Sequence, residues 1–385
     1  FTPIVLIAAL IALPYLWLVM PRLLGDNSVT ADANQRMFHT RLRVGTNSIL
    51  VEIHTDDGIT GIGEAGGARS AEATAAIIRS VERLLIGQSP FDIESFVSRF
   101  YRLGNWGNMI RFANNACCGI EMALWDIVGK ALGQPVHRLL GGAVHRDIDF
   151  FGFVQGSEPA EMADDALALR KMGFRCIYYK IGYGEEDDSA ITRAIRHKIG
   201  EGVCLRADMN EFYTIGTAKR LITKLAQFDL DWVEQPLDAY DMDGMALLRA
   251  STPTPIAMDQ GVFTTAEILQ AIQKQAADVF VLGFHEAGGL LALKKAAAIM
   301  QAAGIPLNRH GIVGETGIST MAALQILATI PNQTSGHQVM HQLLKEDVIE
   351  DGLIAFQEGR ITVPDRPGLG IELDRDRIDR FARAY

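Results

Sequence analysis

Residues 147–311 predict an α/β fold, a closed (β/α) barrel that follows a smaller α+β region. Three observations point there. Seven short apolar segments recur at intervals of 24–29 residues. Helical patterns fill the intervals between them. The segments are apolar almost throughout, as parallel strands covered by helices must be.

The elements follow in chain order. Residues 4–20, "IVLIAALIALPYLWLVM", form a 17-residue apolar run that reaches the lower edge of a membrane span. No Lys or Arg precedes it and Pro14 interrupts it, so it makes a poor signal peptide. A buried strand and loop is the expected form, and a membrane or targeting segment is the alternative. Residues 47–65 read as a hairpin: "SILVEIHT" alternates, "DDG" turns and "ITGIGEA" returns. Helices are expected over 70–87, stopping at Gly87, and over 114–133, where Ile120, Ala123, Leu124, Ile127 and Val128 fall at helical spacing. The first 130 residues thus read as α+β.

The barrel strands are expected at 147–154, 176–182, 203–210, 231–237, 255–260, 279–284 and 306–311. Residues 359–374 return to hairpin texture and should rejoin the N-terminal region. The division is 1–130, completed by 357–385, and a barrel over 131–356.

Composition excludes some functions. The chain of 385 residues carries a formal charge of -10, which argues against nucleic acid as a partner. Its four cysteines, Cys117, Cys118, Cys176 and Cys204, form no C-x-x-C, so neither a disulfide framework nor a thiolate zinc site is indicated. A reducing cytoplasm is the simplest location, and a symmetric homo-oligomer is the default assembly.

Polar residues mark the strand ends: Lys180, Asp208, Glu234, Asp259 and His310, separated by 28, 26, 25 and 51 residues. In a barrel these ends converge on one mouth, where barrel enzymes do chemistry. Three carboxylates brought together would repel, and a hard divalent cation relieves that repulsion; an all-oxygen set suits Mg²⁺ and disfavours zinc. A dication beside Lys180 disfavours a second positive charge, and an uncharged amine can act as a general base. His310 lies across the circle and can give or take a proton. Two proton-transfer groups facing each other across a cation suit removal of the proton next to a substrate carboxylate.

The segments "VEIHTDDGITGIGEA", "IEMALWDIVGKALGQPVHRLLGG", "YYKIGYG", "LRADMN", "DWVEQP", "PIAMDQ", "AGGLLALKKAA" and "PDRPGLGIELD" resemble the mandelate racemase/muconate lactonizing enzyme branch of the enolase superfamily. The resemblance covers residues 47–385. It implies an α+β capping domain over a modified TIM barrel, (β/α)7β, and Mg²⁺-assisted proton abstraction from a carboxylic acid. Asp208, Glu234 and Asp259 resemble the metal ligands, Lys180 the second lysine of a K-x-K base motif, and His310 the seventh-strand histidine. Asn210 resembles a polar residue near metal and substrate. His285, Glu315 and His337 join it as substrate-facing candidates; "TSGHQ" puts His337 where a glutamate often sits.

Three departures stand out. Tyr178 replaces the first lysine of K-x-K, and its hydroxyl can donate a hydrogen bond or a proton, which makes it a third catalytic candidate. Gly283 stands where the racemase type keeps the aspartate that orients the histidine; His285 or Glu286, in "GFHEAGG", can substitute. The first 46 residues carry no recurring segment. The reading that follows is dehydration of a sugar acid to a 2-keto-3-deoxy acid. Racemisation, epimerisation and cycloisomerisation are the alternatives, followed by a non-catalytic binding protein on the same fold.

Overall fold

The computed structural model describes residues 4–5, 22–24, 48–66 and 71–384. The expected hairpin is present as antiparallel strands Ile49–Thr55 and Thr60–Ala65, paired from Ile49↔Ala65 to His54↔Thr60. Gly58 takes a left-handed φ of 81° in the turn, a conformation that glycine adopts without steric cost. Ile4–Val5 pairs with Thr55 and His54, and Arg22–Leu24 pairs with Leu50 and Ile49. Of the apolar run at 4–20, only Ile4–Val5 is described; the rest lies outside the described residues. Among those described, no helix is long and apolar enough to cross a membrane.

The helix expected from residue 70 is shorter than its pattern. It runs Ala71–Ser80 and tightens into a 3-10 turn at Glu82–Leu84. The next expected helix is longer. It begins at Ile110, ends at Leu132, and stops where Gly133 turns left-handed. This Ile110–Leu132 helix lies directly on the hairpin because two strand glycines face it. A Cβ built on Gly63 would stand 2.0 Å from the Gly119 carbonyl oxygen, and one on Gly61 would stand 2.2 Å from that of Ala123. Those neighbours are backbone and cannot swing aside. Gly63→Ala should therefore destabilise the protein by about 3 kcal/mol, read as a lower urea midpoint at unchanged m-value.

Seven parallel strands follow: β1 (Gly152–Phe153), β2 (Cys176–Lys180), β3 (Cys204–Asp208), β4 (Trp232–Glu234), β5 (Ile256–Met258), β6 (Val279–Val281) and β7 (Leu307–Asn308), hydrogen-bonded in that order. Residues 333–338 close the circle. Gln333 bridges Leu307 on one side and His337 bridges Phe150 on the other, both in parallel. The result is the modified TIM barrel.

One expectation needs correction. The segment 147–154 is not one strand: Asp147–Asp149 leaves the barrel and pairs antiparallel with Arg360–Thr362. Farther along, Leu369 donates its N–H to Asp126 Oδ1 of the Ile110–Leu132 helix at 2.9 Å, so residues 359–374 touch both the barrel entrance and the N-terminal region. It is Ala382–Ala384 that rejoins the cap sheet, against Arg22–Leu24.

Candidate active site

Alternation along the strands sends Cys176, Tyr178 and Lys180 of β2 inward, and likewise Cys204, Arg206 and Asp208 of β3. The register then stacks the site. Lys180 pairs with Asp208, and Asp208 with Glu234, so three charged groups stand abreast at one end of the barrel. Asp259 follows Met258 at the end of β5, and His310 lies just past Asn308 of β7.

The polar contacts join these residues. Lys180 Nζ bonds Asp208 Oδ2 and donates to Asn210 Oδ1 at 2.7 Å. Tyr178 donates its hydroxyl to Asp208 Oδ2 at 2.5 Å and lies 3.1 Å from Glu234 Oε1. Its ring stacks on Phe151, with centroids 4.3 Å apart and planes within 3°. Tyr178 is thus buried against the carboxylates. Asp259 Oδ2 receives Gln260 Nε2 at 2.5 Å and lies 3.9 Å from His310 Nε2. Gln235 accepts the Asp259 backbone N–H at 2.9 Å. Asn210 and Gln235 take left-handed φ values of 40° and 34°, so backbone strain collects immediately beyond Asp208 and Glu234.

The histidine dyad is present, with its carboxylate relocated. His310 Nδ1 and Glu286 Oε1 are 2.9 Å apart. Glu286 sits on the short helix Phe284–Ala287 after β6. Gly283 makes room for it: a Cβ there would stand 2.2 Å from Glu286 Oε2. Gly283 and the glutamate three residues on form one arrangement. The cap holds this loop. Asn114 of the Ile110–Leu132 helix donates to the Glu286 carbonyl at 2.5 Å, and Glu121 of the same helix accepts the Leu290 and Leu291 N–H groups at 2.9 and 3.0 Å.

Three of the substrate-facing candidates are committed elsewhere. Glu315 is fully buried in a forked ion pair with Arg309 and accepts the Met340 N–H. His337 accepts the Arg309 N–H on Nδ1 and meets Gln333 on Nε2, each at 2.9 Å, in the closing segment of the barrel. His285 turns from His310 and places Nε2 2.9 Å from Ser319. Only Asn210 of the four reaches the carboxylate cluster. Glu286, Gln235 and Gln260 complete the surroundings; the last two each follow an acidic strand-end residue directly, which is the signal that could have found them.

Burial drives the His285 ring down from 6.5 to about 3. A depressed folded value stabilises the protein above pH 6.5 and is lost as pH falls toward 3. At pH 5 the loss is about 2 kcal/mol. His285→Gln should therefore shrink by that amount the difference in unfolding free energy between pH 8 and pH 5, measured in urea.

Residues 28–141 match the family described as "Mandelate racemase / muconate lactonizing enzyme, N-terminal domain", and residues 161–377 match "Enolase C-terminal domain-like". The chain belongs to the mandelate racemase/muconate lactonizing enzyme family of the enolase superfamily. The match begins at residue 28, inside the stretch where no recurring segment is legible. This family member is 31% identical over 347 residues to the D-galactarolactone cycloisomerase of Agrobacterium fabrum, covering 86% of this chain and 90% of that one. It is 29% identical over 356 residues to the D-xylonate dehydratase of Haloferax volcanii, covering 86% and 84%. Among solved structures, a mandelate racemase/muconate lactonizing family protein from Azoarcus sp. EbN1 superposes with a TM-score of 0.83 at 28% identity, over 90% of this chain and 96% of that one. Other relatives are racemases and epimerases. The protein is an enzyme of this superfamily.

Enzymes of this family generally depend on Mg²⁺. Here the donor chemistry fits: Asp208, Glu234 and Asp259 offer oxygen only, the set a hard cation takes. Burial and the charges of Asp208 and Asp259 push Glu234 well above the usual carboxylate range. Burial likewise lifts Asp259, against the pull of His310, to about 6. A cation held by the three would offset that repulsion. As the side chains stand, no three His, Cys, Asp or Glu residues cluster tightly enough to hold an ion among the described residues. Asp208 Oδ2 is taken by Lys180 and Tyr178 instead.

Proposed function

We propose that this enzyme dehydrates a sugar acid, aldonic or aldaric, to a 2-keto-3-deoxy acid. The observation that carries the reading is the placement of two proton-transfer groups around one carboxylate cluster: Lys180 against Asp208, and the Glu286-held His310 beside Asp259. Bound to Asp208, Glu234 and Asp259, Mg²⁺ would supply positive charge against the substrate carboxylate and the charge that grows on it as the α-proton leaves.

Lys180 Nζ takes the proton from the carbon next to the carboxylate. Asn210 and Asp208 hold that nitrogen at the end of β2. His310 gives its proton to the β-hydroxyl as the C–O bond breaks, and water leaves. Burial works against a charged His310, but Asp259 and Glu286 outweigh it and raise the ring to about 10. With Asp259 given to a cation, Glu286 at 2.9 Å is the carboxylate that favours the protonated imidazole a general acid needs. The enol product tautomerises to the 2-keto acid.

The relocated dyad also favours a second reading, racemisation or epimerisation. That reaction needs proton transfer on both faces of one carbon, and the racemase type orients its histidine with a carboxylate.

A panel of aldonic and aldaric acids, assayed for 2-keto acid with Mg²⁺ and with chelator, separates the readings. Keto acid is expected with Mg²⁺ and none after chelation. Inversion at the α-carbon without keto acid would establish the second reading. Activity that survives chelation would remove both.

A further inference from the structure

The inward faces of β2 and β3 carry a second constellation at the end opposite Lys180 and Asp208. Cys176 and Cys204 are register partners, and their Sγ atoms lie 3.0 Å apart. Neighbouring strands run about 4.8 Å apart, within the Cα separation of about 4.4–6.8 Å that a disulfide tolerates. Cys176 is buried with Phe151 and Tyr178, while Cys204 is partly exposed at the barrel floor. Arg206 lies one inward layer above. Its guanidinium covers the Trp232 ring at 3.5 Å and bonds Asp231 Oδ2 at 2.8 Å, and Asp231 Oδ2 lies 3.2 Å from Cys204 Sγ. Burial opposes ionisation of Cys176, but sharing a proton with Cys204 and the Arg206 charge overcome it, so this thiol sits below its ordinary range. The thiolate is the reactive form.

We propose that Cys176 and Cys204 are a modification site, a dithiol that a hydroperoxide converts to a disulfide and an added dithiol restores. Sharing the proton and burial push the Cys204 thiol up, so the thiolate is on Cys176 and the partly exposed Cys204 marks the side from which a small solute arrives. The Cys176 thiolate attacks one peroxide oxygen; the S–O bond forms, the O–O bond breaks and hydroxide leaves, giving a sulfenic acid. Cys204 sulfur then attacks Cys176 sulfur; the S–S bond forms and the S–O bond breaks. The two thiol protons combine with the two hydroxides as water. The dithiol has lost two electrons and the peroxide has gained them. The bond ties together, at the floor, the two strands whose other ends carry Lys180 and Asp208.

The test is hydrogen peroxide treatment of the native full-length protein, alkylation in denaturant, and tryptic mapping without reductant. Two of the four cysteines should become resistant to alkylation and be recovered by dithiothreitol. The peptides 176–180 and 199–206 should appear joined, two hydrogens lighter than their sum. Cys204→Ser should abolish the joined species. Four alkylatable thiols after peroxide, or separate sulfenic or sulfinic acids without a joined peptide, would overturn the proposal.

Discussion

Lys180→Met is expected to lower turnover by about 10³-fold and to stop α-proton exchange with D₂O. The methionine keeps the apolar length of the stem but has no basic nitrogen. The fold should survive, because Asp208 Oδ2 still receives the Tyr178 hydroxyl and is not left bare. His310→Asn should lower turnover comparably while leaving exchange in place. Loss of the hydroxyl follows proton removal, so a substrate whose α-proton is already moving can exchange it without being dehydrated. The pair of variants therefore reads the division of labour. Exchange lost in His310→Asn and kept in Lys180→Met would reverse the two roles. Wild-type exchange in both would mean that neither residue is the base.

Glu286→Gln is the second large effect. The glutamine fits the space opened by Gly283 and still meets His310 Nδ1, so what changes is charge rather than packing. His310 owes its raised value to Asp259 and Glu286 against the cost of burial. Removing one carboxylate lowers the pH at which the imidazolium gives up its proton. The alkaline limb of the rate profile should move to lower pH, and turnover should fall most on that limb, by about 10²-fold. Stability follows the same sign. A histidine raised from 6.5 to about 10 stabilises the folded state fully below pH 6.5, and that contribution is lost as pH rises through 10. In Glu286→Gln the loss still begins near pH 6.5 but should be complete at lower pH, with a smaller total. An unchanged alkaline limb in kcat would mean that Glu286 does not act on His310.

Much of this was legible in the chain. Parallel strands have to be apolar on both faces, so their spacing shows in any sequence that contains them, and each barrel strand falls inside its expected segment. The strand-end polar residues show for a related reason, since a lysine or carboxylate inside an apolar run is conspicuous. The misreadings share a physical origin. "DIDFFGFV" has no turn residue before Gly152, and nothing local says that Asp147–Asp149 pairs with Arg360–Thr362 while Gly152–Phe153 pairs with Ile177 and Tyr178. Glu315 and His337 look like free polar groups until Arg309 is brought beside both.

By itself, the sequence determined the barrel, its order of strands and the inward parity that aligns Tyr178 with Lys180, because strand alternation and βα spacing are local properties. The tertiary structure alone decided which groups meet. It placed Glu286 on His310 through the space left at Gly283. It turned His285 toward Ser319 instead. It aimed the Tyr178 hydroxyl at Asp208 and Glu234 rather than outward. It set Cys176 beside Cys204 across two strands. Each of these depends on the register and approach of segments distant in the chain, and one residue of slip would send every such side chain to the opposite face.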